Sequence, residues 1–308
     1  MAHPRDILLR PLLPLIPATL VLLAACGGRP RQAAVFTIQV KGSDTMVNAA
    51  QAWAEQYKTV DPAVNVEVSG GGSGVGIAAL IKGTIDIATA SRDMKPSELE
   101  QARKNTGREA KEFVAGFDAL AVCVHKDNPI SSISLEQIAG MYEEDGAITR
   151  WSQIGITIPG VKNDEIILVN RQSSSGTYEF FREKCLHNRD FRLGSLDMNG
   201  SKEAIELIGS TKAAIGYSGM GYATGVIKML PVAAAAAEAA VAPTMQNTLN
   251  KSYVLARSLH LYTIGEPEGV VRKFIDWILS EAGQSILADN GYVPVAAAAE
   301  TTPSPQAP

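Results

Sequence analysis

From residue 36 onward the chain alternates short runs rich in β-branched and aromatic residues with stretches that carry apolar residues at helical spacing. This alternation predicts α/β units with parallel strands rather than a sandwich. Strands are predicted over 36–41, 64–68, 85–88, 165–170 and 214–217. Helices are predicted over 45–60, 75–82, 97–106, 134–141, 177–185 and 201–210. Met46, Ala49, Ala50, Trp53 and Tyr57, for example, fall on one face of the first helix. Two long apolar runs, 113–125 and 253–264, read as extended segments, and 270–287 reads as one amphipathic helix. The alanine-rich stretch 232–242 reads as a surface helix or a linker, and no repeat of fixed period is present.

A chain of 308 residues has room for two domains of about 100–150 residues each. With 28 Lys and Arg against 32 Asp and Glu, its formal charge is −4, so no basic field exists to hold a nucleic acid. His3, His125, His187 and His260 show no metal-ligand spacing, and three cysteines are too few for a disulfide scaffold. Neither a metal nor a cofactor is expected.

The N-terminus has the form of an export signal. Arg5 and Arg10 precede a mostly apolar, uncharged segment of about 15 residues, too short to span a ~30 Å hydrocarbon core. It ends in Leu23-Ala24-Ala25-Cys26, which resembles a bacterial lipobox. The resemblance implies cleavage after residue 25 and lipidation of Cys26, with acyl chains that hold the protein at the extracytoplasmic face of a membrane. Residues 26–35 would be the lipidated cysteine and its tether, and residues 296–308, rich in Thr, Pro and Ala, a disordered tail. Cys123 and Cys185 are expected to be buried free thiols, although an exported location permits a disulfide.

Three strand-to-helix turns carry the same chemistry: Gly42-Ser43-Asp44-Thr45, Ser69-Gly70-Gly71-Gly72-Ser73-Gly74 and Arg171-Gln172-Ser173-Ser174-Ser175-Gly176-Thr177. Each predicted helix start leaves backbone N–H groups unpaired, glycine admits a ligand close to the backbone, and Ser or Thr hydroxyls add donors. Any one of these turns is explained by ordinary capping and tight geometry. Three in one chain, with Arg171 at one and Ser91-Arg92 after a further β-run, point to a shared small tetrahedral anion.

Other motifs fail on spacing. Val75 stands where a Gly-x-Ser-x-Gly nucleophile elbow around Ser73 needs its second glycine, and no P-loop is present. Gly74-Val75-Gly76-Ile77-Ala78-Ala79 is a lone match to a dinucleotide fingerprint.

The chain resembles the phosphate-binding lipoproteins that serve the Pst-type ABC importer, in the branch marked by Gly-Ser-Asp-Thr-Met. The resemblance rests on Gly42 to Met46, Gly70 to Gly74, Asp86 to Arg92, Arg171 to Thr177, Val241 to Thr244 and Gly291 to Pro294, in family order. It implies an α/β, two-lobed periplasmic-binding-protein (Venus-flytrap) fold of type II, with the anion between the lobes. Residues 36–117 with 254–295 would form the first lobe and 118–253 the second, the apolar runs being the crossings. It also implies a monomeric receptor that performs no covalent chemistry and delivers phosphate to ABC permease subunits. A sensor or adhesin on this fold, or a receptor for sulfate or molybdate, is the alternative.

Carried over by motif, the phosphate site would use Ser43, Thr45, Ser73, Arg171, Ser175, Gly176 and Thr177, with Arg171 as the charge partner. Ser91, Arg92 and Asp118 complete the candidate set. The chain departs from the enterobacterial pattern, which has an aspartate at the positions of Arg92 and Ser173. Such a carboxylate accepts the phosphate proton and repels sulfate. Asp118 is the candidate replacement, with Arg92 or the ligand proton as its expected partner, and Asp44 is a second candidate that could instead cap the first helix.

Overall fold

The computed structural model describes residues 35–295. The signal segment, Cys26, the tether as far as residue 34 and the 296–308 tail fall outside the described residues.

The first third of the chain is β1 (Phe36–Gly42), α1 (Val47–Val60), β2 (Val64–Ser69), α2 (Ser73–Ile81), β3 (Ile87–Ala90) and α3 (Pro96–Thr106). A 16-residue strand, β4 (Ala110–His125), leads to β5 (Ile133–Ser134), α4 (Leu135–Tyr142), β6 (Ile167–Arg171) and α5 (Gly176–Leu186). Then come β7 (Leu196–Met198), α6 (Ser201–Ser210), β8 (Ala214–Gly219), β9 (Ile227–Leu230), β10 (Val232–Ala233) and α7 (Met245–Leu249). The described chain closes with β11 (Ala256–Ile264), α8 (Gly269–Ile278) and α9 (Glu281–Asp289).

Local chemistry sets several of these boundaries. Proline opens α3, the Glu98 carboxylate accepts from the Lys95 amide at 2.8 Å, and Gly107, at φ 70°, ends the helix by returning its N–H to Arg103. Ser134 and Gln137 cap α4 reciprocally.

The strands run β2-β1-β3-β11-β4-β8-β6-β7, with β9 also on β4 and a separate β5–β10 pair. The flanks are parallel, β1 with β2 and β3, and β6 with β7 and β8, as βαβ connections require. The centre departs from the parallel expectation: β11 is antiparallel to β3 and β4, and β4 to β8 and β9. Here the chain passes between lobes instead of winding within one. Ala110 to Ala119 of β4 pairs with β11, and Leu120 to His125 pairs with β8 and β9.

Each lobe buries both faces of its strands. Ile87 packs with Ile38, Trp53 and Phe274, while its neighbour Ala88 packs on the other side with Ile77, Leu80 and Tyr262. In the second lobe Leu120, Val122 and Val124 join Trp151, Phe181 and Tyr217, while Ala121 and Cys123 face Val169, Ala204 and Ile208. From Asp118 to its end β4 is buried without alternation, which is why 119–124 is apolar at successive positions. Cys123 and Cys185 are free and buried, and burial pushes the Cys123 thiol up to about 12 and raises Cys185 as well.

Two expectations are corrected. The 270–287 helix is two helices, interrupted at Leu279 and Ser280, with the Ser280 hydroxyl bound to the Trp277 carbonyl. The break lets Gly283 press against Ile278 while its carbonyl accepts from the Trp53 indole at 2.7 Å. Of the two readings of the alanine-rich 232–242 stretch, the helix is overturned and the linker is left standing: Val232 and Val241 exchange backbone hydrogen bonds, and Val232 is buried. Tertiary pairing there overrides the helical propensity of alanine.

Candidate anion site

At the end of β1 the chain passes under Thr89. Gly42, at φ 146°, lies so close that a Cβ would sit 2.1 Å from the Thr89 carbonyl oxygen, and the Ser43 amide donates to that oxygen. Ser43 and Thr45 are thereby buried ahead of α1, and Ser43 Oγ has no hydrogen-bond partner. The second turn brings Ser73 to the first position of α2, where its Oγ accepts from the Ser91 amide at 3.1 Å and lies 3.5 Å from Ser91 Oγ. The third turn, between β6 and α5, contributes Ser175 as the N-cap and buried Thr177 beside it.

The turns meet across the lobes. Thr45 Oγ1 and Thr177 Oγ1 are 2.9 Å apart. A Cβ on Gly176 would stand 2.3 Å from Ser73 Oγ and 2.8 Å from Ser91 Oγ, so only glycine lets the start of α5 close on these serines. The Gly74 amide donates to the Ser174 carbonyl, and the Ser174 hydroxyl donates to the Gly71 carbonyl. Lys95 and Glu179 add an ion pair at 2.9 Å.

Arg171 is buried at the end of β6. It donates to Ser201 Oγ and the Asn199 carbonyl in its own lobe, and to Asp44 Oδ2 of the other lobe at 3.0 Å. Burial lowers its pKa, against the pull of Asp44. Asp44 does not cap α1: its Oδ1 accepts from the Gly71 amide at 2.8 Å, tying the first turn to the second.

Two candidates have other partners than expected. Arg92 makes two parallel 2.8 Å bonds with Glu98 at the start of α3. That pairing is local and leaves Arg92 unavailable to Asp118. Asp118, fully buried, accepts instead from Arg257: Oδ2 takes Nε at 2.9 Å and Nη2 at 2.7 Å, while Oδ1 takes the Met220 amide. Burial raises the Asp118 carboxyl above its ordinary value, against the pull of Arg257 and that amide.

Sequence reasoning missed Arg257. Its other donors reach Thr45 Oγ1, Thr177 Oγ1 and the Ser91 carbonyl at 3.2–3.3 Å, so it lies among the expected site residues. Its guanidinium also lies 5.5 Å from the Phe180 ring centroid. The signal was present: one charged residue interrupts each apolar crossing run, Asp118 in the first and Arg257 in the second. A buried charge requires an opposite one.

The result is a cluster of buried hydroxyls, Ser43, Thr45, Ser73, Ser91 and Thr177, drawn from both lobes. Arg257 stands within it and Arg171 at the end of β6, bonded across to the first turn through Asp44, each already paired with a carboxylate. Donors without net charge suit a small, desolvated oxyanion that must also be released.

The description "PBP superfamily domain" belongs to the family model that matches residues 27–282. The phosphate-binding protein PstS of Pseudomonas aeruginosa is 33% identical over 266 residues, covering 83% of this chain and 82% of that protein. This chain belongs to that family. Solved relatives agree in fold and length. A protein described as a phosphate ABC transporter substrate-binding protein from Clostridium perfringens, solved with bound phosphate, is 31% identical at a TM-score of 0.73. The match covers 84% of this chain and 99% of that one. An ABC-type phosphate transport receptor from Vibrio cholerae is 28% identical at a TM-score of 0.66, covering 83% and 99%.

Proposed function

We propose that this chain binds inorganic phosphate between its lobes and delivers it to an ABC permease. The observation that carries the reading is the meeting of Thr45 with Thr177, and of Gly176 with Ser73 and Ser91, across the two lobes. The names of its relatives, one of them solved with phosphate, support the choice of anion. In this reading Ser43, Thr45, Ser73, Ser91 and Thr177 supply hydroxyl donors, and the starts of α2 and α5 supply backbone N–H groups. Arg171 exchanges its bond to Asp44 for one to the anion. Gly176 permits closure, and Ser175 holds the first turn of α5.

In this reading the site performs no covalent chemistry: the hydroxyls of Thr45, Thr177, Ser73 and Ser91 are engaged with one another, with an amide and with the Arg257 guanidinium, as donors poised for an anion. Arg92 acts outside it, through Glu98. The protein works as a monomer at the extracytoplasmic face, held there by lipid on Cys26. Among the described residues no helix is long and apolar enough to cross a membrane.

Calorimetric titration of the mature chain without its lipid, freed of carried-over ligand, tests this with phosphate and then sulfate at several pH values. Tight one-to-one phosphate binding is expected. Tight binding of sulfate or molybdate with no phosphate binding would assign a different anion.

A further inference from the structure

Arg257 has five N–H donors, and all five are spent on protein atoms. Nε and one hydrogen of Nη2 go to Asp118 Oδ2, the other hydrogen of Nη2 to Thr45 Oγ1, and those of Nη1 to Thr177 Oγ1 and the Ser91 carbonyl. No donor is left over for a ligand. The guanidinium nevertheless touches three of the segments that carry the site: the first turn, the end of β3 and the start of α5.

We infer that Arg257, anchored by Asp118, is a positioning residue of the anion site, which sets the direction of the Thr45 and Thr177 hydroxyls and couples it to closure. The inference rests on the phosphate reading of the same cluster. A hydroxyl rotates freely until its lone pairs are claimed. Each threonine oxygen accepts a charge-assisted bond from the guanidinium, so its own proton turns away from Arg257, toward the other threonine or an anion lodged against the pair. Thr45 belongs to the first lobe and Thr177 to the second, so one guanidinium reaches both only when the lobes are together.

Asp118 makes this possible. A lone guanidinium at 5% exposure would be costly, and the carboxylate directly opposite it removes that cost. The same bonds give Asp118 a role through Arg257 rather than as the acceptor of the ligand proton. Phe180, the fifth residue of the lobe II helix that carries Thr177, lies against the guanidinium, so the coupling extends into that lobe.

The test is a thermodynamic cycle read by phosphate titration. Arg257→Lys keeps the charge beside Asp118 but cannot reach both threonines, and is expected to weaken phosphate binding roughly 30-fold, the worth of two ordinary hydrogen bonds. In a Thr45→Val, Thr177→Val background the same substitution is expected to change affinity by less than about threefold. The paired replacement Arg257→Met with Asp118→Leu leaves no buried charge alone, and is expected to fold and to show the same loss as Arg257→Lys.

Wild-type affinity in Arg257→Lys would overturn the inference. So would an undiminished loss in the threonine-free background, which would place Arg257 directly on the anion. If the wild-type protein bound another oxyanion instead of phosphate, the phosphate reading would fall and the same cycle, run with that oxyanion, would still decide the role of Arg257.

Discussion

Asp118 and Arg257 stand opposite each other in the antiparallel register of β4 and β11, the two strands that join the lobes, with Oδ2 2.7 Å from Nη2. The pair is cross-strand, fully enclosed, and in contact through Arg257 with hydroxyls of both lobes. The site and the crossing are therefore one construction.

Breaking that pair from one side leaves a buried charge uncompensated. Asp118→Ala is expected to lower unfolding stability by about 3–5 kcal/mol, whereas Asp118→Leu with Arg257→Met recovers most of the loss. Urea denaturation of the three proteins checks this, and equal stabilities of the single and paired variants would contradict it.

Gly176 is at an ordinary φ, so alanine there strains no backbone; its Cβ would instead meet Ser73 Oγ at 2.3 Å. Overpacking at this junction costs about 1–3 kcal/mol, or roughly 5- to 150-fold in affinity. Gly176→Ala is expected to bind phosphate more weakly at unchanged thermal stability, and to show a larger radius in small-angle scattering with phosphate present.

Burial pushes the Glu98 carboxyl up, but Arg92, the Lys95 amide and the Lys95 charge pull it further down, so its folded pKa lies below the usual 4.5. A group with a depressed folded pKa stabilises above its unfolded pKa, and that contribution disappears as pH falls through the folded value. The stability difference between wild type and Glu98→Gln should therefore be constant above about pH 5.5 and shrink on acidification below the ordinary carboxylate value. Chemical denaturation across that window measures it.

Both buried thiols are held in the protonated form, with Cys123 pushed up to about 12. In a Cys26→Ser variant, mass spectrometry after maleimide treatment at pH 7.5 is expected to find neither Cys123 nor Cys185 labelled in the native protein and both labelled in denaturant. Rapid native labelling would show that one of the cores opens.

Release of the cross-lobe bond between Arg171 and Asp44 should separate two effects. Asp44→Asn keeps an acceptor for the Gly71 amide but loses the charge opposite Arg171. It is expected to change phosphate affinity while leaving the β1–α1 turn in place, seen as an unaltered amide NMR signal for Gly71.

Much of the architecture was legible because it is local. The positions of most strands and helices, the glycine and serine turns, and the long crossing runs follow from periodicity and capping chemistry within a few residues. Short edge strands such as β7 and β10 were not legible, since two or three residues carry no period and exist only by pairing with a neighbour. The single helix expected over 270–287 failed because its break serves the Trp53 contact from a distant helix.

The sequence by itself determined the family, the glycine- and serine-rich strand-to-helix turns and the presence of one acidic and one basic residue in otherwise apolar crossings. Only the tertiary structure decided which charge meets which. Arg92 is taken by Glu98 on the next helix, and Asp118 by Arg257 on the adjacent strand. The physical reason is that a charge pairs with whatever the sheet register sets within hydrogen-bond reach, and register between β4 and β11 is a property of the folded chain.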